Sequence, residues 1–295
     1  MFGLLNLNKP AGITSRSVVD SVHRLLPRTS KVGHAGTLDP MATGVLVVCV
    51  GTATRLVPYV QELTKSYRAG FRLGCRSDTD DVTGSIVETV DARVPGREEI
   101  EHALQAFRGT IVQTPPQYSA LRVGGKRAYD LARTGVAVEL VPREVEISHL
   151  ELVRCDGLEM EVDIDCSSGT YIRSIARDLG ESLGIGGLMT SLVRTAIGPF
   201  RVEAARSVES LTAETLRDAL LPAELSIGDR PRLNVTDSQA TAIRQGVKLV
   251  FPSSNPSHPA VVAVDPAGRL VGFGEYEAET GRFHPRNVFH ETSAT

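Results

Sequence analysis

Residues Leu158 to Cys166 read LEMEVDIDC. Leu158, Met160, Val162, Ile164 and Cys166 alternate strictly with Glu159, Glu161, Asp163 and Asp165. A period of two cannot lie along one face of a helix. It requires a strand with one buried and one wet face. Ser167-Ser168-Gly169-Thr170 follows at once, and then Ile172, Ile175, Ala176, Leu179 and Leu183 recur at helical spacing. The pattern predicts a half-buried strand running into a helix capped by the Ser/Thr segment.

The other elements intermingle without a regular strand–helix–strand alternation, so the class is α+β. Leu4–Pro10 reads as a strand ending at its proline. Thr14 or Ser15 caps a helix bearing Val18, Val19, Val22, Leu25 and Leu26, and Pro27 stops it. Val45–Val50 is an unbroken apolar strand. A helix is expected near Ala53–Leu63, an alternating strand over Lys65–Gly74 and a helix over Glu98–Phe107. Thr114-Pro115-Pro116 excludes a helix. Asp78–Gly84 has the look of a calcium loop, but Val82 stands where an oxygen ligand is needed and no ligand Glu follows, so it reads as an acidic turn. After about Ala223 the character changes. A helix is expected at Ser238–Gly246, a flexible loop at Pro252–Pro259, and strands at Ala260–Val264 and Arg269–Gly274, together a small separate β domain.

The chain has 295 residues, 41% of them hydrophobic and 23% charged, which suits a globular protein of one large domain or two. No apolar run approaches a membrane span, and the N-terminus lacks a signal-peptide pattern, so a cytoplasmic protein is expected. The four cysteines form no CxxC pair, and the seven histidines show no HxH or HxxxH spacing. Disulfides and metal sites are therefore not expected. Cys49 and Cys166 read as buried thiols. The net charge of −3 does not advertise nucleic-acid binding. Gln117–Arg143 is locally basic, however, with Arg122, Lys126, Arg127, Arg133 and Arg143 against Asp130 and Glu139.

Chemistry concentrates in GHAGTLDPMATG, residues 33–44. Three glycines and a proline bend the chain around one carboxylate, Asp39, beside His34. Nucleotide fingerprints and a serine elbow are absent. Asp39 has two readings on its own residues: a turn aspartate making local hydrogen bonds, or a nucleophile or base at the lip of a cleft. The second needs a cation to keep the carboxylate ionised away from water. Arg173, at the start of the helix after the best strand, is a candidate, pointing away from that helix's apolar face. Tyr171 lies at the same helix start, and Tyr67 is an isolated polar aromatic in a strand, where packing is the bland reading.

Taken in order, LNKPAGITS, GHAGTLDPMATGVL, KSYRAGFRLG, TPPQYSALRVGGKRAYDLAR and SSGTYIRSIARDLG resemble the TruB family of tRNA pseudouridine synthases. The resemblance runs from about Leu5 to Phe200, with a weaker tail from Arg230 to Phe289. The GHxGxLDPxAxG block with its later Tyr-Ile-Arg is its most specific part. It implies an enzyme that isomerises uridine 55 in the T loop of tRNA to pseudouridine, with no cofactor or metal. It implies a pseudouridine synthase fold, a mixed and mainly antiparallel sheet flanked by helices, followed by a PUA-like β pseudobarrel. The corresponding units are 1–228, with an RNA-clamping insertion at about 117–143, and 229–295.

The resemblance also assigns roles. Asp39 is the catalytic aspartate, Arg173 its paired arginine and Tyr67 the tyrosine stacked on the flipped base. His34 helps to extrude the nucleotide, and Tyr171 and Leu192 line the pocket. Asn6, Lys9 and Pro10 form the N-terminal motif, with Lys9 counted among the substrate-binding residues. Arg122, Lys126, Arg127 and Arg133 hold the T arm. Arg173 is expected to aim Asp39 and lower its pKa. The partner is tRNA, with no membrane and no obligate protein, and a monomer is expected. The tail is short for the family, with a Pro/Ser-rich loop where more sheet is usual. Two other classes are weighed: a tRNA-elbow folding chaperone, which would not need that carboxylate, and an enzyme acting on free uridine or UMP.

Overall fold

The computed structural model describes residues 1–118, 122–123, 126–127, 140–251 and 258–290. The strands in chain order are β1 (Gly3–Lys9), β2 (Val32–His34), β3 (Thr43–Val50), β4 (Lys65–Leu73), β5 (Cys75–Ser77), β6 (Ile86–Glu88), β7 (Gly109–Gln113), β8 (Arg122–Val123), β9 (Lys126–Arg127), β10 (Arg143–Asp156), β11 (Glu159–Cys166), β12 (Gly187–Ile197), β13 (Phe200–Arg201) and β14 (Arg206–Ser207). Ten of these form one sheet in the order β14-β1-β3-β12-β4-β11-β10-β7, with β2 added to β3 and β13 to β12. The pairs β1/β14 and β3/β12 are parallel and the other described pairs of this sheet are antiparallel. The sheet is therefore mixed and mainly antiparallel, as expected.

The sequence periods explain its two faces. Along β11, Met160, Val162, Ile164 and Cys166 are buried, while Asp163 on the wet face takes a bidentate pair from Arg68 of β4 at 2.8 and 2.9 Å. That pair is exposed, so it adds little to stability. On β3 every residue from Gly44 to Val50 is buried. Val45, Val47 and Cys49 enter one apolar cluster and Leu46, Val48 and Val50 another, on opposite sides of the sheet. A strand covered on both faces shows no alternation. Helix α1 (Ser15–Arg24), N-capped by Thr14 accepting from the Ser17 N–H at 3.0 Å, places Val18, Val19 and Val22 against Leu5, Leu7 and Leu46. Next come α2 (Val57–Glu62), entered through a 3-10 turn, and α3 (Arg97–Leu104). Helix α4 (Ile172–Ser182) lays Ile172, Ile175, Ala176 and Leu179 on Phe71, Val162 and Ile164.

The cap of α4 differs from expectation. Tyr171 is the N-cap and no side chain caps the helix; the Thr170 hydroxyl donates to the Ser167 carbonyl instead. Gln113 of β7 takes over, accepting from the Tyr171 N–H at 2.7 Å and donating to its carbonyl at 2.9 Å. The start of α4 is thus held by a strand 58 residues earlier.

The C-terminal region has more strands than the two expected. β15 (Arg232–Asn234), β16 (Leu249–Val250), β17 (Ala260–Val264), β18 (Leu270–Glu277) and β19 (Arg282–Val288) form a second sheet in the order β15-β17-β18-β19-β16. Two are too short to show a period, and β19 carries Pro285 and polar residues on both faces. With α5 (Asp237–Arg244), fixed by a Thr236/Gln239 capping box, this curled sheet is the PUA-like unit. It is not isolated: Phe273 stacks on Tyr59 at 3.9 Å between ring centroids, and Phe273 and Phe289 join Leu4 and Val47 in one cluster. Residues 252–257, most of the expected flexible loop, lie outside the described residues. Among the described residues no helix is long and apolar enough to cross a membrane.

Candidate active site

The GHAGTLDPMATG segment joins β2 to β3, where Thr43 and Gly44 pair with Val193 and Arg194 of β12. It borders a cleft of about 530 Å³, large enough for one nucleotide, lined by Asp39, Tyr67, Tyr171, Arg173, Leu192 and Arg194 among others. The bend is held from below. Ser15 accepts from the Leu38 N–H at 2.8 Å and donates to its carbonyl at 3.2 Å, and Pro40 O accepts from Gly12 N at 2.8 Å.

Lys9 corrects its expected role. Its side chain is 0% exposed, and its ammonium donates to the carbonyls of Pro10, Ile13 and Pro40 at 2.9, 2.8 and 3.1 Å. A group enclosed in this way cannot touch substrate; it ties the chain after Asp39 to the end of β1. Burial brings its pKa down to about 8, against the pull of Asp39. Replacing it by methionine takes this donor from the Pro10 and Ile13 carbonyls and leaves Pro40 only its bond from Gly12 N. Lys9→Met is therefore expected to lose about 1–3 kcal/mol in urea unfolding; an unchanged midpoint would remove the tether. Because the folded pKa is depressed, the ammonium costs stability at neutral pH, and that cost fades as the pH rises from about 8 toward the unfolded value.

Asp39 and Arg173 meet across 134 residues of sequence. Arg173 Nη2 donates to Asp39 Oδ1 at 3.2 Å, and Nε lies 3.1 Å from Oδ2. The arginine is only 7% exposed at its side chain, whereas Asp39 keeps 33%, so the carboxylate faces the cleft and the guanidinium stands behind it. Arg173 also donates to the carbonyls of Thr79 and Tyr118 at 3.0 and 3.1 Å, and its Nη1 lies 3.4 Å from Asp81 Oδ2. Every face of the guanidinium fork is used, which fixes its orientation. Arg173 does pull the Asp39 pKa down, but burial is the larger influence and Asp81 adds to it, so the carboxyl lies above its ordinary value. The expected lowering by Arg173 is present, and desolvation outweighs it.

Asp81 was missed. The acidic turn is there, with the Thr79 and Thr83 hydroxyls donating to Asp81 Oδ1 at 2.8 and 2.5 Å, yet its 4% exposed side chain also backs Arg173. Nothing local distinguishes it from Asp78 or Asp80. Asp80 instead pairs with Arg177 at 2.8 Å.

Tyr67 and Leu192 sit on adjacent strands, with Tyr67 opposite Arg194 and Leu192 opposite Ala69. Both line the cleft, rising from the same face of the sheet. Tyr171 lines it too, and Arg143 stands 4.8 Å over its ring while donating to the Gly169 carbonyl. His34 is not brought to the same wall: it ends β2 opposite Val48, half-buried, outside the residues that line the cleft. Arg122, Lys126 and Arg127 fall on the β8/β9 hairpin; Arg133 lies outside the described residues. Arg194, which also lines the cleft, has no role among the sequence expectations. Its signal was present: positions 192, 194 and 196 share the buried face of β12, and a charged residue there is unusual. Cys49 and Cys166 are buried thiols as expected, pushed up to about 12 and about 11 by burial.

This architecture is shared with solved structures. The protein chain in a structure of an H/ACA RNP bound to a substrate RNA containing 2'-deoxyuridine superposes with a TM-score of 0.75 at 25% identity, covering 99% of this chain and 86% of that one. The fold is that of a pseudouridine synthase. The family model described as TruB family pseudouridylate synthase (N terminal domain) matches residues 24–172, and that described as tRNA pseudouridylate synthase B C-terminal domain matches 173–227. The chain belongs to the TruB family. It is 43% identical over 293 residues to tRNA pseudouridine synthase B of Cereibacter sphaeroides (98% of this chain, 96% of the relative). It is 46% identical over 251 residues to the protein of that name from Mycobacterium sp. strain KMS (84% of each).

Proposed function

We propose that this enzyme converts uridine 55 in the T loop of tRNA to pseudouridine, with Asp39 as the reacting carboxylate. The observation that carries this reading is the solvent-facing Asp39 carboxylate, backed by Arg173, in a cleft that Tyr67 and Leu192 also line. A uracil stacked in a folded RNA loop is out of reach. It must be flipped out, at a few kcal/mol, and held by stacking and edge contacts. Tyr67 supplies an aromatic face for that base and Leu192 an apolar one. The C1′–N1 bond breaks, C1′ joins C5, the C5 proton leaves to water and N1 takes a proton from water, so atoms balance without an oxidant or energy source. Attack of Asp39 on C1′, its addition to C6, and removal of a sugar proton all start from the ionised carboxylate.

Residues 1–228 form the catalytic unit in this reading, and 229–295 an RNA-holding unit. The β8/β9 hairpin lies in the insertion assigned to the T arm, where backbone contacts by lysine and arginine favour shape over sequence. Lys126→Ala with Arg127→Ala is expected to weaken tRNA binding and to reduce the slope of log Kd against log salt by about 2, one per lost phosphate contact. An unchanged slope would remove the hairpin from the contact surface. The test of the whole reading is tritium release from a tRNA transcript labelled at C5 of uridine. One equivalent per tRNA, mapped to the T loop, is expected, with none from labelled UMP. Tight tRNA binding without release would favour a folding chaperone, and release from UMP would overturn the RNA substrate.

A further inference from the structure

We infer that Arg194 is a positioning residue for the reaction, holding the main chain on both sides of Asp39 against its own strand β12, beside the strand that carries Tyr67. The inference rests on Asp39 being the reacting carboxylate. Arg194 is 2% exposed and is among the largest fully buried side chains. Its Nε donates to the Val45 carbonyl at 2.7 Å, its Nη2 to Gly36 O at 3.1 Å and its Nη1 to Thr37 O at 3.4 Å. Gly36 and Thr37 precede Asp39 and Val45 follows it, so one rigid fork spans the base of the loop. The contact between strands is equally close. Gly44 pairs with Arg194 in parallel register at φ +100°, and a Cβ there would fall 2.2 Å from the Arg194 carbonyl oxygen. On its other side Arg194 lies opposite Tyr67 in the β4/β12 ladder.

Packing alone does not call for this residue. A guanidinium is permanently charged and only donates, and no described carboxylate forms an ion pair with Arg194 among the ion pairs of this site. Its countercharge is three carbonyl dipoles. An apolar side chain of similar volume would avoid the desolvation of a buried cation. What it could not do is tie Gly36, Thr37 and Val45 to one planar group and so fix where Asp39 stands relative to the cleft. Misplacement of a reacting group by about 1 Å is enough to lower a rate about a hundredfold.

The experiment compares wild type, Arg194→Met and Arg194→Lys in single-turnover tritium release at saturating tRNA, well below each thermal midpoint, with tRNA Kd measured by filter binding. Arg194→Met is expected to lower the single-turnover rate about a hundredfold while Kd stays within about threefold. Arg194→Lys keeps the charge but cannot span the three carbonyls, and is expected to fall between. Guanidinium ion added below denaturing concentration is expected to recover part of the methionine variant's rate. Full rate per folded molecule in either variant overturns the inference, as does a loss of rate matched by an equal loss of binding. If Arg194→Met does not fold, the lysine variant decides on the same criteria. Turnover retained in Asp39→Asn would instead sink the reading of the site itself.

Discussion

Asp39→Asn is expected to abolish turnover, lowering tritium release by at least about 10⁴-fold, with tRNA Kd within about threefold of wild type. The amide keeps the shape of the side chain and can still accept one hydrogen bond from Arg173. It lacks the lone-pair reactivity that all three routes to the product require. The same variant tests the alternative that Asp39 is a turn residue. The loop is held independently by Ser15, Lys9 and Gly12, so the fold does not depend on the carboxylate. Because burial raises the Asp39 pKa in the folded protein, its stabilising contribution is present below the ordinary carboxylate range and is lost as the pH rises through the folded value. Above that value the ionised form is a cost, and there Asp39→Asn is expected to melt no lower than wild type. A fall of several degrees with a matching loss of tRNA affinity would make Asp39 structural.

Arg173→Met should have the second largest effect. It removes the cation between two carboxylates, leaving Asp39 and Asp81 to face each other through an apolar side chain. Breaking a buried pair by deleting one partner costs about 3–5 kcal/mol, so a lower urea midpoint is expected. The decisive readout is the pH profile of kcat/KM. Arg173 is the main influence holding the Asp39 pKa down; burial and Asp81 both push it up. Without Arg173 the carboxyl titrates higher, and the acidic limb moves to higher pH. Asp81→Asn carries the opposite sign: a negative neighbour is removed, and the acidic limb moves to lower pH. A limb that stays in place in both variants would mean that the group limiting activity at acid pH is not Asp39. Rates on the plateau above each variant's acidic limb separate charge from aim. A residual deficit of about 10²-fold in Arg173→Met there reports lost orientation.

These effects follow from contacts that local sequence does not record. Asp81 is a sound turn aspartate by its neighbours, and only the meeting of its loop with α4 makes it part of the site. Arg173 was expected to point away from the apolar face of α4, and does, but the groups it reaches lie 134 residues before it at Asp39 and 94 before it at Thr79. Lys9 belongs to the motif that carries the resemblance, yet the fold turns it inward.

The sequence by itself determined the strands and helices whose periods are local: the alternation of β11, the unbroken run of β3, the apolar faces of α1 and α4. It also determined the bent loop that presents Asp39, because glycine and proline act on the backbone where they stand. The order in which strands pair was decided only by the tertiary structure. That order sets Arg194 opposite Tyr67, closes Arg173 between Asp39 and Asp81, leaves His34 off the cleft wall, and completes the C-terminal sheet with strands too short or too polar to announce themselves. The physical reason is that hydrogen-bond ladders and buried charge pairs join residues by distance in space, while periodicity reports only which face of its own element a residue occupies.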